Sequence, residues 1–149
     1  MSVFDLKLPP ISSLRIAFIG VGVRGIEAVK RYLQLEVQIV AIAEVGAEAM
    51  QKVKALTAHL PVQPAYYTAP DDWRKLCERP DIDLLYISTP WQQHAPMAIY
   101  AMQCGKHVAI EVPLAMTIAD CKRIVHTAEE TQRHCMMLEN VCYDHFELM

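Results

Sequence analysis

The sequence lacks most of what would send a chain to a membrane, a nucleic acid or a disulfide framework. No stretch reaches the roughly 18 consecutive apolar residues of a membrane-spanning helix. Asp5 and Lys7 interrupt the first ten residues, so these do not read as the apolar core of a secretory leader. The cysteines (Cys77, Cys104, Cys121, Cys135 and Cys142) are odd in number and contain no C-x-x-C pair, which points to a reduced, cytoplasmic setting and to small core-filling roles. The formal net charge is −3 and the basic residues are scattered, so no basic face is available for nucleic acid or anionic lipid. Glycine is scarce, five in 149 residues, which excludes collagen-like and linker-like chains. That scarcity makes the grouping of three of them at Gly20, Gly22 and Gly25 informative.

Several catalytic signatures are also missing. There is no G-x-S-x-G elbow, and no P-loop lysine follows the glycines. Neither H-x-x-E-H nor its reverse occurs. His126, His134 and Cys135 lie close in sequence, but adjacent residues of a strand face opposite ways, so no metal site is expected.

What is present is a core-forming chain of one domain's length. Apolar residues make up 53% and charged residues 21%, a balance that excludes intrinsic disorder. Short apolar runs alternate with helical patterns. Strands are expected over 14–19, 37–43, 65–68, 84–88, 107–110 and 135–138. Helices are expected over 26–35, 48–59, 73–77, 95–104 and 117–133, with Asp71-Asp72 and Thr117 as caps and Gly105 as a helix stop. A further helix opens at 143–149. Strands so uniformly apolar are covered on both faces, and the right-handed crossover rule then gives an α/β, doubly wound, mostly parallel Rossmann sheet.

Gly20-x-Gly22-x-x-Gly25 follows the first strand and opens the first helix, which is the setting a dinucleotide fingerprint requires. The first glycine permits the tight turn, the second lets a pyrophosphate approach the backbone, and the third lets helix and strand pack closely. The helix N-terminus offers free N–H groups to the phosphates. Arg24 is either a further phosphate contact or a solvated surface arginine. Glu44 ends the second strand, 19 residues past Gly25, where a carboxylate accepts ribose hydroxyls and repels a 2′-phosphate. NAD is therefore favoured over NADP as the cofactor. The later strands run into Ser88-Thr89-Pro90-Trp91-Gln92-Gln93-His94, Glu111-Val112-Pro113 and Glu139-Asn140, and all three segments are expected at the same sheet edge.

Taken together, Ala17-Phe18-Ile19-Gly20-Val21-Gly22, Ser88-Thr89-Pro90 with His94, Ala101–Val108 and Glu111-Val112-Pro113-Leu114-Ala115 resemble the Gfo/Idh/MocA oxidoreductase family. That family generally has Glu-Lys-Pro where this chain has Glu111-Val112-Pro113, and the lysine helps its hydride chemistry. Glu-Val-Pro, Thr-Pro-Trp-x-x-His and the run from His134 to Asp144 are similar to one branch, the NAD-dependent glycosidases of glycoside hydrolase family 109, known as α-N-acetylgalactosaminidases. The resemblance implies cofactor contacts at Gly20, Gly22, Val23, Arg24, Gly25, Glu44, Thr89, Trp91, Gln92, Gln93, His94, Glu111, Val112 and Asn140, with Glu111 and His94 also catalytic candidates. It implies oxidation of the sugar at C3, elimination across C1–C2, hydration and reduction, with NAD recycled.

It further implies an arm over 1–13, an NAD-binding domain over 14–141, and at 142–149 the start of a connection to a C-terminal open β-sheet domain that this chain lacks. On that reading the chain binds NAD, meets a carbohydrate substrate only if that domain is supplied, and has apolar surface free for self-association. The competing readings are an NAD-dependent sugar oxidoreductase, a non-catalytic NAD-binding module, and a plain Rossmann-like domain with an empty pocket.

Overall fold

In β1 (Arg15–Ile19), Ile16 and Phe18 face one way and Ala17 and Ile19 the other, and all four are buried. The computed structural model, which describes residues 2–140 and 142, shows why. Five further strands flank β1: β2 (Gln38–Ala43), β3 (Ala65–Tyr67), β4 (Leu84–Ile87), β5 (His107–Glu111) and β6 (Cys135–Leu138). They form one sheet in the order β3-β2-β1-β4-β5-β6, with every neighbouring pair parallel. Helices α1 (Val23–Tyr32) and α2 (Ala47–Thr57) supply Ala28, Val29, Met50 and Val53 to a core built on Ile16, Phe18, Ile42 and Tyr86. On the opposite face, α3 (Asp72–Glu78), α4 (Trp91–Gln103) and α5 (Ile118–Thr131) pack on Ala17, Ile19, Leu85, Ile87, Val108 and Ile110. The result is the doubly wound α/β sheet expected from the apolar runs. Each fully buried isoleucine, leucine or phenylalanine in it stabilises the fold by about 1.5–3 kcal/mol.

The helix ends differ from the sequence reading for local reasons. α1 begins at Val23 rather than at residue 26, because Gly22 is its N-cap and the Ile26 N–H already bonds the Gly22 carbonyl at 2.9 Å. α4 begins at Trp91, four residues ahead of the expected start, so Trp91, Gln92, Gln93 and His94 occupy its first turn rather than a loop. Their largely polar character hid the helix. α5 is capped as expected, with the Thr117 hydroxyl accepting the Asp120 N–H at 3.0 Å. It stops at Thr131 because Gln132 turns left-handed at φ 54°, a stop with no glycine to announce it. Gly105, at φ 79°, does end α4. Asp71 makes no side-chain cap bond; the Asp72 carboxylate instead accepts the N–H groups of Thr68 and Ala69.

The N-terminal arm is more ordered than its pattern suggests. It forms a 3₁₀ turn over Val3–Asp5, and the Val3 N–H donates to Glu129 of α5 at 3.2 Å. The helix expected over 143–149 lies outside the described residues. Among the described residues no helix is long and apolar enough to cross a membrane, and all five cysteines are free thiols. Cys77 is buried and Cys135 half-buried, and burial pushes each thiol up to about 12.

Candidate functional site

The sheet order reverses between β1 and β4: from there the chain winds outward to β3 on one side and to β6 on the other. A crevice opens beyond the carboxyl ends of strands at such a switch point. The glycine loop lies over it. Gly20 leaves β1 at φ 84°, and a Cβ there would be driven into the Ser88 carbonyl at the end of β4. A Cβ on Gly25 would strike the Gly20 carbonyl, whereas one on Gly22 would meet nothing within 4 Å. Two glycines are thus required by packing, and the third faces open space beside the N-terminus of α1, which has no side-chain cap.

Across the loop, Glu44 extends from the end of β2. One carboxylate oxygen accepts the Val21 N–H and the other the Gly46 N–H, both at 2.6 Å. The carboxylate is pinned between the glycine loop and the start of α2, and lone pairs on each oxygen remain available to a hydroxyl. Gly20, Gly22, Glu44, Thr89 and Gln93 line one cavity of about 550 Å³. Its remaining wall includes Ala69, Pro70 and Asp71 from the turn after β3, with Trp73 and Met97. The sequence reading missed these. β3 is only three residues long, and only the strand order shows that its following turn stands next to Glu44.

A second cavity, of about 360 Å³, gathers Arg24, Glu111 and Asn140 with Tyr32 and Tyr86. Arg24 Nη2 donates to Asn140 Oδ1 at 3.2 Å, linking the glycine loop to the chain beyond β6. The Tyr86 hydroxyl donates to Glu111 Oε1 at 2.5 Å. Burial, and then this acceptor, raise the phenol above its ordinary range. Tyr86 is another residue the sequence reading passed over. Its one signal is a tyrosine in an otherwise aliphatic strand.

The other expected contacts are dispersed. Val23 and Trp91 are exposed on the first turns of α1 and α4, beside exposed Gln92. Val112 is half-buried in the turn after β5, joined to Pro113 by a cis peptide. Gly25 is buried under the loop. His94 is fully buried and turns inward: Nδ1 lies 2.7 Å from the Pro113 carbonyl and Nε2 2.9 Å from the Thr89 carbonyl. It reaches the crevice only through the two turns it holds, with neither ring nitrogen open to a ligand. Among the described residues no group of three or more His, Cys, Asp or Glu side chains could hold a metal ion.

The fold and the loop define an NAD-binding Rossmann domain. Residues 14–139 match the Gfo/Idh/MocA oxidoreductase family, NAD-binding Rossmann fold, and the chain belongs to that family. Within it the chain is close to the glycoside hydrolase family 109 proteins. It is 52% identical to an alpha-N-acetylgalactosaminidase of Bacteroides fragilis, over 98% of this chain and 35% of that protein. It is 47% identical to a glycosyl hydrolase family 109 protein of Phocaeicola vulgatus, over 99% of this chain and 36% of that protein. The chain thus spans about a third of the length of the curated relatives it matches. The fold is shared with the WlbA dehydrogenase of Bordetella pertussis, solved with NADH and UDP-GlcNAcA: TM-score 0.78 and 22% identity over 91% of this chain and 40% of that one.

Proposed function

We propose that this domain holds NAD for a reaction of the glycoside hydrolase family 109 kind on an N-acetylgalactosaminide. The reading rests chiefly on the open space above Gly22, set between the uncapped N-terminus of α1 and the pinned carboxylate of Glu44. The larger cavity takes the adenosine, with Glu44 accepting the ribose hydroxyls. Gly22, the first N–H groups of α1 and Arg24 would hold the diphosphate. Glu111 and Asn140, which line the smaller cavity, would hold the nicotinamide end. Bound NAD supplies a reversible two-electron oxidation of a sugar carbon, which acidifies the neighbouring C–H and leaves the cofactor unconsumed. At that end Glu111, whose carboxylate Tyr86 holds, is the side chain offered to hold or move a proton: His94 is turned inward, and Val112 stands where a lysine would serve a dehydrogenase.

Calorimetric titration with NAD and NADP tests this. NAD is expected to bind more tightly, and absence of heat and of thermal shift with both nucleotides would refute the reading. The inward-turned His94 also favours a second reading, in which the 149 residues hold cofactor without turning over a glycoside by themselves. Release of N-acetylgalactosamine from an aryl glycoside by the purified chain would exclude that second reading.

A further inference from the structure

We infer that Tyr86 is a positioning residue for Glu111: from the core beneath the crevice, its hydroxyl holds one carboxylate oxygen at the end of β5 and leaves the other for a hydroxyl-bearing ligand in the smaller cavity. The inference rests on the NAD reading above, in which that ligand is the ribose at the nicotinamide end. Tyr86 pairs with Ala109 across the β4–β5 register, and Glu111 follows Ala109 by one strand period, so all three side chains share a face. Ala109 is small, which leaves the tyrosine ring room to lie beside it and reach the strand end.

The ring has little freedom. It is 2% exposed and packs against Phe18 at 5.2 Å and edge-on to Tyr32 at 5.9 Å between centroids. The hydroxyl is its only polar atom, and its proton goes to Glu111 Oε1. A bond from a neutral donor to a carboxylate in a half-dry site is charge-assisted and directional. Burial and this acceptor both keep the phenol protonated, so the donor persists through the neutral range. Among the described residues no hydrogen bond reaches Glu111 Oε2. A carboxylate at a strand end would otherwise sample several rotamers. Fixing one oxygen from below restricts where the other can stand.

The test uses the 149-residue chain, with NAD and with ADP, which ends at the diphosphate and does not reach the smaller cavity. Tyr86→Phe keeps the packed ring and removes only the donor. It is expected to weaken NAD about tenfold, the scale of one hydrogen bond to a charged group, and to leave ADP within about twofold. Glu111→Ala is expected to weaken NAD at least as much, with ADP again spared, and the double variant should match Glu111→Ala alone. The inference is overturned if Tyr86→Phe binds NAD like the parent chain, if it loses NAD and ADP equally, or if its effect persists in the Glu111→Ala background. Should Tyr86→Phe fail to fold, Glu111→Ala still decides: equal affinity for NAD with and without that carboxylate removes the object being positioned. A parent chain that binds neither nucleotide defeats the NAD reading itself, and this inference with it.

Discussion

The Glu44 carboxylate accepts the backbone N–H of Val21 at 2.6 Å, so the end of β2 is latched to the glycine loop. Its other oxygen does the same for Gly46, the N-cap of α2. One side chain therefore sets the spacing between two turns that face the larger cavity, while its charge marks that cavity as unfavourable to a further anion.

Glu44→Ala removes both effects, and only the loss of charge distinguishes the two nucleotides. For NAD the substitution deletes an acceptor for ribose hydroxyls, a loss of about tenfold in affinity. For NADP it also deletes the repulsion against a 2′-phosphate, so the loss is smaller or reversed. Calorimetry with both nucleotides checks this. Equal losses would refute the ribose assignment and leave Glu44 as a structural latch alone.

The glycines of the loop separate folding from binding. Gly20→Ala puts a Cβ into the Ser88 carbonyl in a left-handed backbone, and the expected cost is about 3 kcal/mol. Gly22→Ala adds a methyl to open space in a backbone that alanine adopts freely, so thermal unfolding should be nearly unchanged. Its effect should appear in NAD affinity, because the methyl occupies the space above the loop. A Gly22→Ala chain that binds NAD like the parent would show that the phosphates lie elsewhere.

Much of this arrangement was legible in the sequence because it depends on local constraints. The strand runs, the three glycines and the Thr117–Asp120 cap are each fixed by neighbours close in the chain, and each stands where its pattern pointed. Contacts across the sheet were not legible. Nothing in the run Leu84–Ile87 says that Tyr86 reaches the far end of β5, or that the turn after β3 walls the cavity beside Glu44. The polar stretch from Trp91 to His94 misled for a related reason. Helical phase assigns His94 to the buried face of α4, whereas its residue type alone suggests an exposed ligand.

At the opposite, amino end of the central strands β1 and β4, Arg15 grips Asp83 through two side-chain hydrogen bonds of 2.9 and 2.6 Å, and its own N–H adds a third at 3.0 Å. The Arg15 guanidinium holds the Asp83 carboxyl below its ordinary value of 3.8. A lowered folded-state pKa gives stabilisation that is complete above the unfolded value, about 3.9, and is lost as pH falls through the folded value. Arg15 is partly exposed, so solvent screening limits the effect, and Asp83→Asn should cost about 1 kcal/mol at pH 7. Denaturant unfolding from pH 8 to pH 3 should show a constant difference between parent and variant down to about pH 5, narrowing below about pH 4. A difference that widened toward acid would have the wrong sign for this pair.

His94 lies between the Thr89 and Pro113 carbonyls and joins the turn after β4 to the turn after β5. His94→Phe keeps a ring of similar breadth but offers neither carbonyl a partner. The imidazole ring supplies these part-buried carbonyls with at least one N–H donor, and losing it costs about 1–3 kcal/mol. For a chain of this size that corresponds to a fall in Tm of roughly 2–12 °C, at about 2–4 °C per kcal/mol. The two turns it joins contribute to different parts of the crevice, since Thr89 lines the larger cavity and Glu111, two residues before Pro113, lines the smaller one. NAD, which spans both on the proposed reading, should therefore lose more affinity than ADP, which needs only the first. His94→Phe with unchanged Tm would mean that the imidazole is not bracing the turns. Equal losses of NAD and ADP would mean that it braces the Thr89 turn alone.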